Sequence, residues 1–345
     1  MYNFPKIRQF KDVIRHVRIQ HDFKGLDDSG EAVYEHTYPY PTLTFRGTVK
    51  LHGTNAGITF DKDMNMTFQS RTHEISVEKD NAGFAAFMSR IDRKEFLTQF
   101  VESFKIEHCL KDGTVVLFME FCGGNIQKGV ALNQLDKMAM IFTHAKVIED
   151  EENSHWLSTK IGYSSVKPCG CDGIFFIEHF PTFDIEIDFN SPEIAQNKIV
   201  EMVLAVESEC PVCKQLGVSG IGEGIVFKNI NDSASEFWFK AKGEKHSASK
   251  VKKIAAIDVE KIKTIDEFTS ITVTENRLNQ GLEYMKEQGL EIEKKNTGIF
   301  LRWVINDILS EELDLLTEND LCAKDVGKYI SNIAKVFWFK ETDKI

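Results

Sequence analysis

A lysine at the end of an apolar run is the first residue whose setting favours covalent chemistry. Lys50 follows the strand-like stretch Thr42–Val49, and a turn containing Gly53 separates it from the next predicted strand, Gly57–Phe60. This arrangement projects an amine into a cleft between two strands. The spacing alone is weak evidence, because a lysine stands three residues before a glycine at seven places in the chain. A surface lysine before a turn explains any one of them.

Charged residues at the ends of other apolar strands could line the same cleft. In chain order these residues are Arg71, Glu120, Glu223, Lys240 and Lys242. The two lysines lie two positions apart, so they share one face of a strand. For each residue alone, a salt bridge at the rim of a sheet is the better interpretation. The argument for a site therefore depends on the whole set.

Short strands rich in Val, Ile and Phe must position these residues. The strand-like runs are Thr42–Val49, Gly57–Phe60, Met66–Ser70, Thr114–Phe121, Met138–Val147, Gly173–Ile177, Gly224–Ile230 and Glu236–Lys240. Asp61–Asp63 is a predicted hairpin tip. The apolar period predicts helices at Ala82–Leu110 and at Ile194–Val206, the second beginning at Ser191-Pro192, where Ser is a good N-cap and Pro a good first residue.

The pattern changes after about residue 258, where amphipathic helices replace the strand signal. Helices are predicted at Glu275–Gly289, Gly298–Ser310 and Ala323–Phe337. The sequence therefore predicts an α+β fold, with an antiparallel-sheet core at residues 1–257 and a small all-helical domain at residues 258–345.

The composition is that of an ordinary soluble globular protein, with 42% hydrophobic and 28% charged residues among 345. Five basic side chains interrupt the first nineteen residues, and no apolar stretch approaches the roughly 20 residues of a membrane span. We expect no membrane association, a cytoplasmic location and a monomer.

The net charge of −11 disfavours nucleic acid as a partner only if it is spread evenly. Eight lysines lie between Lys240 and Lys263, which makes a local basic stripe. This stripe fits a track that contacts phosphates, and it equally fits a solvated helix surface.

Seven cysteines, an odd number, argue against a disulfide framework. Two close pairs, Cys169/Cys171 and Cys210/Cys213, could together form a four-thiolate zinc site. The first pair has only one intervening residue, so free thiols in a reducing compartment are the other interpretation.

Taken together and in this order, the charged residues resemble the motifs of covalent nucleotidyltransferases, the superfamily of ligases and RNA-capping enzymes. Lys50-Leu51-His52-Gly53 resembles motif I, Glu120 motif III, Phe142 motif IIIa, Glu223-Gly224-Ile225-Val226 motif IV and Lys240-Ala241-Lys242 motif V. The chain is more similar still to the RNA ligase 2 family, phage-type enzymes that seal nicks in duplex RNA. That similarity adds His52–Asn55, Arg71-Thr72 and Glu120-Phe121 followed by Asn125–Lys128.

The resemblance implies an ATP-dependent RNA ligase with an ATP-grasp-like ligase core and an appended helical domain. Such an enzyme joins 3′-hydroxyl and 5′-phosphate ends, with nicked duplex RNA as the expected partner, and uses ATP with Mg²⁺ or Mn²⁺. Lys50 would become adenylylated. A free lysine has a pKa near 10.4, so its amine needs cationic neighbours to become a nucleophile. Lys240 and Lys242 would supply that charge beside the α-phosphate, and Glu223 would hold the metal.

The same resemblance implies roles for the remaining residues. Glu120 would contact the ribose, Phe142 would stack on adenine, Arg71 would bind a phosphate, and His52, Gly53 and Asn55 would position the nucleotide. One position departs from the family pattern, because Val49 stands where an acidic or polar residue often precedes the nucleophile.

Other functions compete with this interpretation. A DNA ligase or a GTP-dependent RNA-capping enzyme would share the motifs, but both usually carry a strand-rich second domain rather than a helical one. A catalytically inactive nucleic-acid-binding protein could use the same scaffold. The charged motif positions all carry the expected residue types, which favours an active enzyme.

Overall fold

The chain divides into two compact units, Met1–Gly243 and Glu244–Ile345. The structure, a computed structural model, describes residues 1–35, 39–80, 82–110, 112–127, 129–150, 152–160, 171–243, 265–318 and 321–344. The predicted domain boundary at 257/258 and the lysines of the basic stripe from Lys245 onward lie outside these residues. The boundary therefore stays a prediction.

The described part of the first unit contains fifteen strands and five α-helices, besides three short 3-10 helices. The strands are β1 Arg8–Gln9, β2 Phe23–Leu26, β3 Ala32–Tyr34, β4 Thr42–Lys50, β5 Thr54–Phe60, β6 Met66–Ser70, β7 Glu74–Ile75, β8 Thr114–Cys122, β9 Met138–Ile141, β10 His144–Ile148, β11 Ser154–Ser158, β12 Ile174–Phe176, β13 Thr182–Asp188, β14 Gly224–Asn229 and β15 Phe239–Lys242. The helices are α1 Phe10–Asp22, α2 Phe84–Met88, α3 Ile91–Glu107, α4 Pro192–Ser208 and α5 Pro211–Gln215.

The first sheet has the strand order β1-β15-β14-β4-β13. Its neighbouring strands are antiparallel except β1 and β15, which run parallel. Because side chains alternate between the two faces of a strand, Val49 and Ile225 share one face, where both are buried in a core with α4. Lys50 therefore points to the opposite face.

The second sheet has the strand order β11-β10-β8-β5-β6-β7, with β9 paired to β8 and β12 paired to β9. Helices α2 and α3 cover one face of it, and Phe100 and Phe104 of α3 pack there with Leu117 and Phe121 of β8. The other face of β8 carries Glu120, since residues alternate along the strand. Strands β2 and β3 form a separate hairpin.

Two predicted elements are each divided in the structure. The predicted helix Ala82–Leu110 is two helices, α2 and α3, because Arg90 has extended backbone angles (φ −61°, ψ 139°) that interrupt the helical path. The predicted strand Met138–Val147 is β9 and β10, separated at residues 142 and 143. The break at Phe142 matters for the site, because it places this ring at a bend between two strands.

The described residues of the second unit contain helices and no strands, as predicted. The helices are α6 Ile265–Thr272, α7 Glu275–Glu287, α8 Thr297–Glu311, α9 Leu313–Glu318 and α10 Ala323–Thr342. They enclose a core of their own, in which Phe300 stacks on Trp338 at a ring-centroid distance of 4.6 Å. The buried Arg277 side chain forms an ion pair with buried Glu312 at 2.9 Å. The predicted α+β architecture with a helical C-terminal region is confirmed.

Candidate active site

Three neighbouring strands of the first sheet bring the predicted basic residues together. Gly224 on β14 lies opposite Lys50 on β4 and, on its other side, opposite Lys242 on β15. Residues opposite one another in an antiparallel pair share a face. Lys50 and Lys242 therefore point into the same space from strands that flank β14.

The carboxylate of Glu223 lies between these two lysines. One oxygen, Oε2, is 2.7 Å from Lys50 Nζ, and the other, Oε1, is 2.8 Å from Lys242 Nζ. His52 Nδ1 is 3.6 Å from Oε2. Burial alone would raise the pKa of Glu223, but Lys242, Lys50 and a hydrogen bond with His52 together lower that pKa well below its usual range. Glu223 is therefore ionised and forms an ion pair with each of the two lysines.

Gly224 gives β14 room to approach β15 beside this carboxylate. Its φ is +157°, and a Cβ atom at this position would lie 2.2 Å from the carbonyl oxygen of Ala241. Any side chain would push β15, and Lys242 with it, away from Glu223. The glycine after the acidic residue is therefore a requirement of the geometry.

The turn after Lys50 is fixed to the second sheet by Glu120. The backbone N–H of Gly53 donates a hydrogen bond to Glu120 Oε1 at 2.9 Å. A Cβ atom on Gly53 would meet the carbonyl oxygen of Phe121 at 2.4 Å, so the turn approaches β8 closely. Burial raises the pKa of Glu120 to about 7, an effect that Lys50 opposes and Glu223 increases. A carboxylate that accepts from one N–H retains capacity for further donors such as ribose hydroxyls.

Asn55 lies opposite Glu120 in the pairing of β5 with β8 and shares its face. Its Oδ1 atom is buried and has no hydrogen-bond partner in the part of the chain that the structure describes. A buried amide oxygen usually has a partner. This atom is therefore available to a ligand in the cleft.

Lys240 and Phe142 lie near these residues in the chain fold, Lys240 on β15 and Phe142 directly after β9. Lys240 is on β15 and shares a face with Lys242. Phe142 is half-buried, its backbone N–H donates to the carbonyl of Phe118 at 3.0 Å, and its ring is 5.1 Å from that of Phe4. This ring can offer an apolar platform to a planar ligand.

Arg71 is not brought into this cluster. It lies just after β6, its side chain is exposed, and within the described ranges it has no hydrogen bond or ion pair. Its predicted phosphate contact stays a prediction. The departure at Val49 has a structural reason, because its side chain is buried on the opposite face of the sheet from Lys50.

The sequence profile of the RNA ligase family matches residues 43–242, which include all the residues of this cluster. The chain belongs to the RNA ligase family. The match confirms the resemblance found in the motifs at the level of that family. No curated protein sequence matches the chain.

Solved structures of an RNA ligase from Naegleria gruberi are similar to part of this chain. The ligase with PPi is 18% identical over 70% of this chain and 56% of that chain, with a TM-score of 0.40. A variant with ATP and Mn is 16% identical over 69% and 55%, with a TM-score of 0.38. A variant with AMP and Mn is 17% identical over 70% and 56%, with a TM-score of 0.39. The chain thus spans little more than half the length of these ligases.

The carboxylates of Glu223 and Glu120 could contribute ligands to a metal ion whose other ligands come from a substrate. No group of three or more His, Cys, Asp or Glu side chains that could hold a metal ion occurs among the described residues. Glu120 and Glu223 lie close enough that the negative charge of Glu223 raises the pKa of Glu120. Mg²⁺ is commonly bound by one or two carboxylates together with phosphates and water, so these residues fit such an ion.

The cysteines that the structure describes give no support to a shared zinc site. Cys171 packs in the core of the second sheet, with Sγ 3.7 Å from Asp92, whereas Cys210 and Cys213 are buried in the core of the first sheet. Cys169 lies outside the described residues. None of the helices in the described ranges is long and apolar enough to cross a membrane.

Two features near the site were not predicted from the sequence. Lys228 on β14 is buried, and its Nζ lies 3.7 Å from the ring centre of Trp238. The ring of Phe4 lies next to Phe142. The alternation of Gly224, Val226 and Lys228 along one face of β14 is a signal that could have identified the lysine. Nothing in the sequence around Phe4 indicates its contact.

Proposed function

We propose that this protein is an ATP-dependent RNA ligase that joins 3′-hydroxyl and 5′-phosphate ends through a lysyl-AMP intermediate on Lys50. The observation that supports this most directly is the Glu223 carboxylate bound to both Lys50 and Lys242. A phosphate needs cations around its oxygens and a nucleophile in line with its leaving group. Lys242 and Lys240 supply the cations, and Lys50 supplies the nucleophile.

In the first step, the Lys50 ammonium gives one proton to water, and the neutral Nζ attacks the α-phosphorus of ATP. The N–P bond forms, the bond from the α-phosphorus to the bridging oxygen breaks, pyrophosphate leaves with the electron pair, and the nitrogen gives a second proton to water. Lys242 and Lys240 stabilise charge that develops on the α-phosphate oxygens. Glu223, which holds Lys50 and Lys242 before ATP arrives, keeps the amine aimed into the cleft.

In the later steps, AMP passes from the lysine to RNA and is then released. An oxygen of the RNA 5′-phosphate attacks the phosphorus of lysyl-AMP, the N–P bond breaks, and the nitrogen takes up a proton. The 3′-hydroxyl oxygen then attacks the 5′-phosphorus and gives its proton to water, the bond from that phosphorus to the oxygen shared with AMP breaks, and AMP leaves with the electron pair. Residues that hold AMP act in both steps, and we assign this role to Glu120 through the ribose and to Phe142 through adenine.

A divalent cation bound at Glu223 would neutralise phosphate charge and orient the leaving group. We assign Mg²⁺ or Mn²⁺ to this position because one or two carboxylates plus phosphates suit either ion. His52, Gly53 and Asn55 would position the nucleotide from the turn after Lys50. Arg71, which is exposed at the end of β6, would bind a phosphate of the nucleotide or of RNA.

The preferred substrate is proposed to be nicked duplex RNA, from the residues shared with the RNA ligase 2 family. The helical second unit supports an RNA ligase over a capping enzyme or a DNA ligase, since those usually append a β-barrel. A monomeric state and a cytoplasmic location remain predictions from the sequence.

The test is to incubate the protein with Mg²⁺ and either α-labelled ATP or α-labelled GTP, denature it, and measure the label that stays on the chain. We expect label from ATP alone. The labelled protein is then offered nicked duplexes of RNA, DNA or both, and nicked RNA should discharge the label and be sealed.

Other outcomes select the competing functions. Label from GTP would indicate a capping enzyme, and sealing of DNA alone would indicate a DNA ligase. Protein that takes no label should be treated with pyrophosphate, which releases ATP from chains that were purified already adenylylated. If no ATP is released, the inactive nucleic-acid-binding scaffold becomes the better explanation.

A further inference from the structure

We propose that residues Met1–Gln9, which we call the N-terminal strap, form part of the nucleotide site, and that Phe4 is a positioning residue for Phe142. The inference rests on the proposed function, in which adenine stacks on Phe142. It adds a segment that lies outside the residues matched by the family profile, 43–242.

The strap is bound at its two ends to different sheets. The backbone N–H of Tyr2 donates to Gln69 Oε1 at 3.0 Å, and Gln69 Nε2 donates to the carbonyl of Tyr2 at 2.6 Å. Gln69 is a buried residue of β6 in the second sheet. At the other end, the backbone N–H of Arg8 donates to the carbonyl of Trp238 at 3.2 Å, and β1 pairs with β15 of the first sheet. The strap therefore links the two sheets and ends beside β15, the strand that carries Lys240 and Lys242.

Between these ends, the ring of Phe4 contacts aromatic rings from both sheets. The ring-centroid distances from Phe4 are 5.1 Å to Phe142, 5.2 Å to Phe118, 5.8 Å to Trp156 and 6.0 Å to Trp238. Phe118 and Trp156 belong to the second sheet, and Trp238 precedes β15 of the first. Phe4 thus joins the bend at Phe142 to both sheets.

These contacts restrict the ring on which adenine is proposed to stack. Aromatic pairs at such distances and tilts attract each other beyond simple burial. Phe142 is only half-buried, so without Phe4 it would sample more orientations. Binding would then have to order the ring, and affinity would fall. Phe4 acts through Phe142 and makes no contact with the phosphates in this account.

The inference is tested by equilibrium binding of α,β-methylene ATP, which cannot transfer AMP, measured by calorimetry with Mg²⁺. We expect Phe4→Ala to raise the Kd about tenfold. Phe4→Leu fills much of the volume without a ring, so its binding of the analogue should remain weak. Phe4→Tyr should restore a Kd close to that of the unchanged protein. If Phe4→Ala does not fold, the Leu and Tyr variants carry the same comparison.

Phe183→Ala is the matched control, because Phe183 is also half-buried but packs against the core of the first sheet. Its Kd should not change. Equal Kd values for the folded Phe4→Ala or Phe4→Leu variant and the unchanged protein would overturn the inference. Failure of the proposed function has a different signature, namely an unchanged protein that takes no label from ATP. An unchanged protein that does not bind the analogue counts against both.

Discussion

At the scale of single residues, the site is organised by one carboxylate and two lysines. Lys50 and Lys242 carry the same charge, and Glu223 holds both within 2.8 Å of its oxygens. Two ammonium groups this close to a common point form a place for a phosphate once the carboxylate moves or binds a metal. This arrangement would suit the negative charge of ATP, the proposed substrate.

Glu120 leads to a prediction about pH. Burial raises its pKa to about 7, above the usual value for a glutamate, so the carboxyl group is largely protonated below pH 7 and ionised above it. The ionised form is the better acceptor for ribose hydroxyls. Affinity for α,β-methylene ATP should therefore rise about tenfold from pH 6 to pH 8, measured by calorimetry.

The control for this prediction is Glu120→Gln, in which the nucleotide's own titration remains and the carboxyl group is gone. The difference between the two proteins isolates Glu120. The same pH dependence in both proteins would contradict the assignment.

The sequence predicted which residues at strand ends lie close together better than it predicted contacts between the two sheets. Lys50, Glu223 and Lys242 are close because they end neighbouring strands, and strand ends can be read from short apolar runs. Arg71 also follows a strand, but β6 lies in the other sheet, and this side chain is exposed. Phe4 could not be predicted, because its contacts come from chain segments more than a hundred residues away.

At the scale of elements, apolar runs predicted where strands occur. They did not predict where a run is interrupted. The strand Met66–Ser70 was predicted with its observed bounds. The division between β9 and β10 was not, because both flanks are apolar and the bend depends on tertiary hydrogen bonds such as that from Phe142 to Phe118. Strand β13 was not predicted, although its acidic and apolar residues alternate.

Strand β14 carries a buried lysine whose burial predicts a pH-dependent stability. Burial lowers the pKa of Lys228 to about 7, and Glu178 opposes the shift. Between pH 7 and 10.5 the unfolded chain therefore binds a proton that the folded chain does not, so this residue makes the free energy of unfolding rise with pH. Lys228→Met should remove that rise, which amounts to up to about 2.7 kcal/mol between pH 7 and 9.

Guanidinium unfolding of both proteins at several pH values measures this effect. Lys228→Met should be more stable than the unchanged protein at pH 7, and the gap should narrow toward pH 9. Lys198→Met, at an exposed position of α4, should show no such pH-dependent gap. A gap of constant size for Lys228→Met would show that Lys228 does not have a lowered pKa in the folded protein.

At the scale of the whole molecule, each unit has its own hydrophobic core, and the predicted nucleotide-binding residues all belong to the first. Helices α7, α8 and α10 of the second unit were predicted from their apolar period, with bounds within a few residues of those observed. The short helices α6 and α9 were not predicted. Its buried ion pair was not predicted, because Arg277 and Glu312 are 35 residues apart and on different elements.

Glu312→Ala should destabilise the second unit and leave adenylylation intact. The change leaves Arg277 buried with a weaker partner, Asp307 at 3.3 Å, and breaking a buried pair costs about 3–5 kcal/mol. Circular dichroism during guanidinium unfolding measures the loss of helix. Lysyl-AMP formation from ATP, measured in the same preparation without denaturant, should stay within about twofold of the unchanged protein.

Glu293→Ala is the control, since Glu293 forms an exposed ion pair with Lys295 and such pairs contribute little to stability. If Glu312→Ala abolishes lysyl-AMP formation while the first unit remains folded, the nucleotide site is not confined to that unit.

The most direct test of the central claim is the chemical identity of the adenylylated residue. The protein is incubated with ATP and Mg²⁺, digested under mildly alkaline conditions that preserve a phosphoramidate, and its peptides are sequenced by mass spectrometry. We expect AMP on Lys50 and on no other lysine, with no modified peptide from Lys50→Ala. AMP on Lys240, Lys242 or another residue, or an adenylate that survives in Lys50→Ala, would contradict it.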